Sequence, residues 1–476
     1  MKKMGYEKEK SYRSIGIKIN KTISKIFVIL TAVFVLFLAS CSHTKSAPEI
    51  HRTFFSAERM DSFFSLLEEN DRGFGSISIF ENGVEVYSNQ IGYKNLSAGQ
   101  HHDRNTEFRV GSISKTFLTV VIMQMINEGH LTLETKLNSF FPEVTNSENI
   151  TIRQMLQHRS GIFNYTDDET FPEWMESAQS KESIFQRIAG YNSFFEPGTE
   201  ENYSNSNFFL LALIAEKIDG SAYNMIIDRR IIKPLGLENT HVGDVVNPLR
   251  NEALPYIYVG EWFLINTFHP SVILGAGDIV STPFDLNVFI NNLFNGKLVP
   301  ENLLAEMKTT VETFGLGLFP MPFYERLAFG HTGGMPGFQA ITVYFPEEGI
   351  SVSYTTNGIR FPQNNILIGV LSILFNDDYE MPVFEDALLL PVEILEKYTG
   401  VYGSPDLPLL ITVFINENSR LMAQATGQGA FPLDAIDEFN FVFEAALIHM
   451  IFSPETGEMI MTQAGHAFNF ILKEKN

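Results

Sequence analysis

Residues 112–130, SISKTFLTVVIMQMINEGH, restrict the fold of this chain more than any other stretch. Apolar residues recur there at helical spacing and Gly129 supplies a stop, so the segment reads as a buried helix opened by Ser112. Such a helix needs apolar partners on several sides. A chain of 476 residues, 45% hydrophobic and 19% charged, has globular composition and length enough for a large core and more than one small domain.

The same segment carries a chemical pattern. Residues three apart share a helix face, so Ser112 and Lys115 can point into one space while Ser114 cannot. A serine hydroxyl becomes a nucleophile when a base within hydrogen-bond reach takes its proton, and a lysine in a water-poor pocket has its pKa lowered toward that task. Serine is also a favoured helix N-cap, and this stretch alone leaves both readings open. A second S-x-x-K, from Ser42 to Lys45, has no apolar periodicity after it and reads as part of a tether.

The N-terminus differs from the rest. Residues 1–25 are basic, and an apolar core follows at 26–38, the length of a signal-peptide core and shorter than the roughly 18 to 20 residues that span a bilayer. Residues 38–41, Leu-Ala-Ser-Cys, end in the only cysteine of the chain and resemble the lipobox of bacterial lipoproteins. We expect a signal peptide over 1–40, lipidation at Cys41, a tether over 41–50 and an outward-facing, membrane-anchored location in a bacterial cell envelope. An uncleaved membrane anchor is the alternative. The leader's eight Lys/Arg against two Asp/Glu make it +6, so the remainder stands at −28 where the whole chain is −22. That balance argues against nucleic acid as a partner.

Along the chain, residues 54–70 read as an amphipathic helix and 74–93 as two strands joined through Glu81-Asn82-Gly83. From about 151 to 311 short helical patterns alternate with loops. A hairpin follows, ITVYF and ISVSY about the turn EEG. After about Pro391 short alternating runs recur at regular spacing, which suggests a sandwich or small barrel. These shifts divide the chain into a domain over 51–378 and an all-β domain over 391–476.

Two further tripeptides stand out. Tyr203-Ser204-Asn205 precedes an apolar helix, and His331-Thr332-Gly333 leads into the strand hairpin. Y-x-N occurs twice more, at Tyr87 and Tyr93, whereas no other H-T-G or K-T-G is present. A further segment, ITIRQMLQHRSGI, supplies a helix ending at Ser160-Gly161. In this order, with GAGDIVSTPFDLNVFI, these segments resemble the serine β-lactamase and penicillin-binding protein superfamily. The resemblance is to its class C-like branch, which includes D-Ala-D-Ala carboxypeptidases, D-aminopeptidases and esterases, and it runs from about residue 74 to 358.

The resemblance implies an α+β fold: an antiparallel sheet flanked by helices with a mainly helical subdomain, and a C-terminal barrel-like β domain. It implies Ser112 as nucleophile, Lys115 as its partner in proton transfer, Tyr203 as a phenolic acid/base and Asn205 as a substrate-orienting amide. His331, Thr332 and Gly333 would form a substrate-binding wall, and the backbone N–H groups of Ser112 and Gly334 an oxyanion hole. Most β-lactamases of this superfamily carry lysine where His331 stands. A histidine is mostly neutral at pH 7 and attracts an anionic group less strongly. Peptidase-like or esterase-like hydrolysis through an acyl-enzyme on D-amino-acid peptides, amides or esters therefore ranks above a class C-like β-lactamase. A binding protein that captures peptide or penicillin without hydrolysis is the rival from another class, and it has no need of a nucleophile with its bases. No cluster at metal-ligand spacing is present, so neither a metal nor a cofactor is expected. The expected partners are a small-molecule or peptide substrate and the membrane; the sequence does not set the oligomeric state.

Overall fold

A computed structural model describes residues 55–475 apart from 248, 385, 386, 406, 408, 464 and 465. The expected leader, Cys41 and the tether lie outside the described residues. No helix among the described residues is long and apolar enough to cross a membrane. Contact density groups the chain into two compact units: Phe74–Pro255 with Asn266–Gly358, and Ile359–Asn476 with Tyr256–Ile265 and the described residues up to Gly73.

The first unit is built on a six-stranded sheet. Its strands are β1 (Gly73–Glu81), β2 (Val84–Ile91), β3 (Phe319–Phe323), β4 (Arg326–Met335), β5 (Phe338–Phe345) and β6 (Ile350–Ile359), in the order β3-β4-β5-β6-β1-β2. The N-terminal hairpin thus completes a sheet whose other strands come more than two hundred residues later. Asn82 and Gly83 close that hairpin with positive φ at both positions, 51° and 80°, the conformation favoured by a two-residue Asn-Gly turn. Ser78, Ser351 and Ser353 on these strands are buried, not solvated. Helix Pro283–Phe294 satisfies them through Asn287, which donates to Ser78 O and accepts from Ser353 Oγ, and through Asn291, which donates to Ser351 Oγ.

The helix expected to open at Ser112 begins two residues later. Gly111–Ile113 form a single 3-10 turn, and α1 (Ser114–Asn127) follows. Eleven of its fourteen residues are buried, and Gly129 stops it at φ 80°. Leu118, Val121, Ile122 and Met125 join one apolar cluster with Phe208, Leu211 and Ala215 of α2 (Asn205–Asp219), and Phe117 stacks on Phe289 at 3.8 Å. Cutting one such leucine back to alanine typically costs about 2–5 kcal/mol. The core therefore fixes α1, and with it the turn that carries Ser112.

In the second unit the helices Ala57–Glu69 and Gln363–Leu374 pack on each other. Gln363–Leu374 falls inside the span 51–378 of the sequence reading, yet it groups with the C-terminal strands. Those strands form a nine-stranded antiparallel sheet whose edge strands, Ala430–Pro432 and Asp434–Ala435, are consecutive in the chain, so the sheet is a nearly closed barrel. Tyr398, Val413, Phe441, Met450 and Phe470 belong to its own core.

Candidate active site

Strand Phe108–Arg109 leads into the Gly111–Ile113 turn, and this turn packs against β4. Glycine is required on both sides. Gly111 has φ 52°, and a Cβ there would come 2.7 Å from Gly334 N. A Cβ on Gly333 would come 1.8 Å from Val110 O and 3.0 Å from Ser112 N. The absence of side chains lets the two backbones approach closely, with the amides of Ser112 and Gly334 at the seam.

Ser112 is partly exposed and Lys115 fully buried. Lys115 Nζ lies 2.9 Å from Ser112 Oγ, 2.8 Å from Asn205 Oδ1 and 2.6 Å from the Ala276 carbonyl. Tyr203 Oη is 2.8 Å from Ser112 Oγ. The hydroxyl of Ser112 is thus bracketed by an amine and a phenol. Ser114 sits differently: its Oγ donates to Gly111 O at 2.7 Å and accepts from Ile279 N at 2.9 Å. That hydroxyl ties the turn to strand Ile279–Ser281 and is fully buried. The helical spacing that separated the two serines in the sequence holds in space.

Asn205 is the first residue of α2, and its side chain does not cap that helix. Its Oδ1 faces Lys115, its Nδ2 donates to Thr166 Oγ1 at 3.0 Å, and its backbone N–H donates to Asn164 Oδ1 at 3.0 Å. On β4, Thr332 and Gly334 are exposed, whereas His331 and Gly333 are buried. The His331 ring lies 4.2 Å from Phe319, its Nδ1 contacts the Thr332 carbonyl, and its Nε2 has no hydrogen-bond partner among the described residues.

The electrostatics follow from burial. Desolvation holds the Lys115 ammonium well below its ordinary pKa, opposed in part by the carboxyl of Asp278. Burial raises the Tyr203 phenol, opposed by its hydrogen bond with Ser112, so the phenol keeps its proton at neutral pH. Desolvation, then the nearby Lys115, push His331 down to about 3, and it is neutral. The carboxyl of Asp278 is pushed up to about 7 by burial. Its Oδ2 accepts from Gly275 N at 3.0 Å and its Oδ1 has no hydrogen-bond partner among the described residues. Among the described residues no group of His, Cys, Asp and Glu could hold a metal ion.

The sequence reading brings Ser112, Lys115, Tyr203 and Asn205 to one place and His331, Thr332, Gly333 and Gly334 to the neighbouring strand. The sequence reading missed Ala276, whose carbonyl contacts Lys115, along with Thr166 and Asp278, and it had set Ser114 apart from the chemistry. The stretch GAGDIVST held a signal for Asp278, since an Asp before a β-branched strand start in a Gly-rich turn is positioned to accept backbone hydrogen bonds.

The family model described as Beta-lactamase matches residues 62–366. Penicillin-binding protein 4* of Bacillus subtilis (strain 168) is 25% identical over 430 residues, covering 83% of this chain and 93% of that protein. Teichoic acid D-alanine hydrolase of Staphylococcus aureus is 25% identical over 289 residues, 58% of this chain and 69% of that protein. Among solved structures, D-amino acid amidase from Ochrobactrum anthropi SV3 aligns with a TM-score of 0.62 at 23% identity, over 67% of this chain and 99% of that one, a likeness of fold. A family match spanning more than half of the chain, on a sheet and helix core shared with solved relatives, makes this chain a member of the β-lactamase family and a serine hydrolase of the superfamily that includes penicillin-binding proteins.

Proposed function

We propose that the chain is a membrane-tethered hydrolase that forms an acyl-enzyme on Ser112 with D-amino-acid peptides, amides or esters. The observation that carries this reading is the bracketing of Ser112 Oγ by Lys115 Nζ at 2.9 Å and Tyr203 Oη at 2.8 Å. With Lys115 as the free amine, Ser112 Oγ attacks the substrate carbonyl and its proton passes to Lys115 Nζ. The oxyanion is held by the N–H groups of Ser112 and Gly334, donors of a kind that typically supply about 10² to 10³ in rate. Tyr203 gives its phenolic proton to the departing nitrogen or oxygen. The phenolate left behind faces the Lys115 ammonium, whose Nζ is 4.9 Å from the Tyr203 ring centroid. Water then returns a proton to the phenolate as its oxygen attacks the acyl carbon, and Ser112 Oγ leaves with the proton held on Lys115.

Asn205 and Thr332 orient the substrate in this reading. His331, neutral and buried, supplies no cation for a substrate carboxylate. This supports D-amino-acid amides and esters ahead of β-lactams, and the names of two relatives, a D-alanine hydrolase and a D-amino acid amidase, point the same way. The tether rests on the sequence of residues 1–41 alone.

Treatment of the full chain with a fluorophosphonate, followed by peptide mapping, should give an adduct on Ser112. A panel of D-Ala-D-Ala peptide, D-amino-acid amide, aryl ester and chromogenic cephalosporin should show turnover of amide or ester ahead of cephalosporin. Intact mass from a bacterial membrane fraction should begin at a lipidated Cys41. An adduct on Ser114, capture without turnover, or fastest hydrolysis of the cephalosporin would each overturn the corresponding part.

A further inference from the structure

His158 lies in the segment ITIRQMLQHRSGI, and no role has been given to it above. It follows the short helix Ile152–Leu156 and its cap Gln157, and it has φ 56°, the left-handed conformation. Arg159 N–H donates to Gln154 O at 2.7 Å and His158 N–H to Met155 O at 3.3 Å, the paired bonds of a Schellman C-cap. Glycine, or less often asparagine, holds the left-handed position of such a cap, because a Cβ there costs roughly 1–2 kcal/mol. The sequence put its helix-ending glycine at Gly161, three residues too late. A side chain kept at a strained position calls for a reason in what that side chain touches.

The contacts converge on the residues around Tyr203. The His158 ring stacks on the Tyr203 ring, with centroids 4.2 Å apart and planes at 27°. Its Nδ1 accepts the N–H of Ser204 at 3.1 Å, and its backbone carbonyl accepts the N–H of Asn202 at 2.9 Å. One residue therefore holds the amide before Tyr203, the amide after it and the face of the ring between. Phe314 closes over both rings, 5.0 Å from His158 and 5.9 Å from Tyr203. From this geometry we infer that His158 is a positioning residue, a clamp that sets the Tyr203 phenol against Ser112 Oγ. Nδ1 accepts only while the ring is neutral, with its proton on Nε2. Burial, then the nearby Lys115 and His331, hold His158 well below its ordinary pKa, so the clamp stays in that state. A histidine that merely filled the core could be replaced by any side chain of similar size, whereas this one requires an acceptor at one ring position.

The inference rests on the reading of Ser112 and Tyr203 given under the proposed function, and the test separates the two. Ser112→Ala, His158→Ala, His158→Asn and His158→Phe are made in the full chain. Each is measured for its melting temperature, its rate of modification by a fluorophosphonate, and kcat and KM for p-nitrophenyl acetate. Asparagine tolerates the left-handed conformation, and its Oδ1 occupies the place of Nδ1. A misplacement of about 1 Å in a catalytic group costs about 10² in rate, so His158→Ala should lose about that factor in kcat and in modification rate, with KM within about threefold. His158→Asn should recover about tenfold of the loss, and His158→Phe, with a ring but no acceptor, should stay slow. Should the alanine variant not fold, asparagine faster than phenylalanine supports the clamp and the reverse order overturns it. Alanine and asparagine variants within about twofold of the parent, or equally slow, also overturn it when Ser112→Ala is inert. A Ser112→Ala protein that still reacts removes the reading on which the inference stands.

Discussion

Two buried cations stand three residues to either side of Ser112, and the molecule treats them in opposite ways. Arg109 forms an ion pair with Glu252 at 2.8 Å, with both side chains nearly inaccessible to solvent. Lys115, equally buried, has three hydrogen-bond neighbours and none is charged: a hydroxyl, an amide oxygen and a backbone carbonyl. A carboxylate partner keeps a buried charge in place, while neutral acceptors leave the ammonium free to lose its proton. Arginine also cannot be deprotonated in a protein, and lysine can. On the proposed reading, the contrast separates a charge that holds the strand before Ser112 from a group that serves Ser112 as nucleophile.

The largest effect tests the lysine. Lys115→Met keeps most of the buried volume and removes the proposed base, so kcat should fall by about 10² to 10⁴ while the melting temperature holds or rises. Lys115→Arg should not restore the rate. In the proposed mechanism the reactive form is the amine, so the rate should fall as pH drops through the Lys115 pKa, and that acid limb should lie well below the ordinary lysine value. A Lys115→Met protein with more than a tenth of the parent rate would break the comparison on this side.

On the other side of Ser112 the expected loss is in stability. Arg109→Ala leaves Glu252 buried without its cation, and breaking a buried pair in this way costs about 3–5 kcal/mol. Denaturant unfolding of the variant should show that loss. Its fluorophosphonate adduct should still map to Ser112 in the fraction that folds. Arg109→Ala with unchanged stability and a lost adduct would mean that the arginine, too, serves the chemistry.

How far the sequence revealed this depends on whether a local rule was enough. Spacing along one helix separated Ser112 from Ser114, and the turn Asn82-Gly83 announced its hairpin, because both are decided within a few residues. The sheet order was not legible, since β1 lies beside β6 across a separation that no local pattern encodes. The barrel was read only as far as short strands, and its near closure depends on pairing Gly400–Gly403 with His466–Glu474. In the site, the motif residues were visible and their supports were not. Ala276 acts through a carbonyl that every residue has, and His158 through a backbone angle that its identity conceals.

Asp278 gives the smallest and most specific test, since among the described residues its carboxyl is the group that opposes the lowered pKa of Lys115. Its folded-state pKa, about 7, is above the ordinary value near 3.8, with burial as the largest cause. Between those values the folded chain holds a proton that the unfolded chain has lost, so this group's contribution is most favourable at low pH and is lost as pH rises toward 7. Asp278→Asn keeps an acceptor for Gly275 N–H and removes the titration. The melting temperature of the variant relative to the parent should therefore be near zero or negative below pH 4, climb between pH 4 and 7, and level off above. The activity effect should be a shift and not a loss. Without the carboxylate the Lys115 pKa falls further, and the acid limb of the rate moves to lower pH with its plateau little changed. A difference in melting temperature that is flat across this range, or an acid limb that moves upward, would show that Asp278 is not the group coupled to Lys115. The lysine's hydrogen-bonding partners would then act without any carboxylate, and its contrast with Arg109 would be complete.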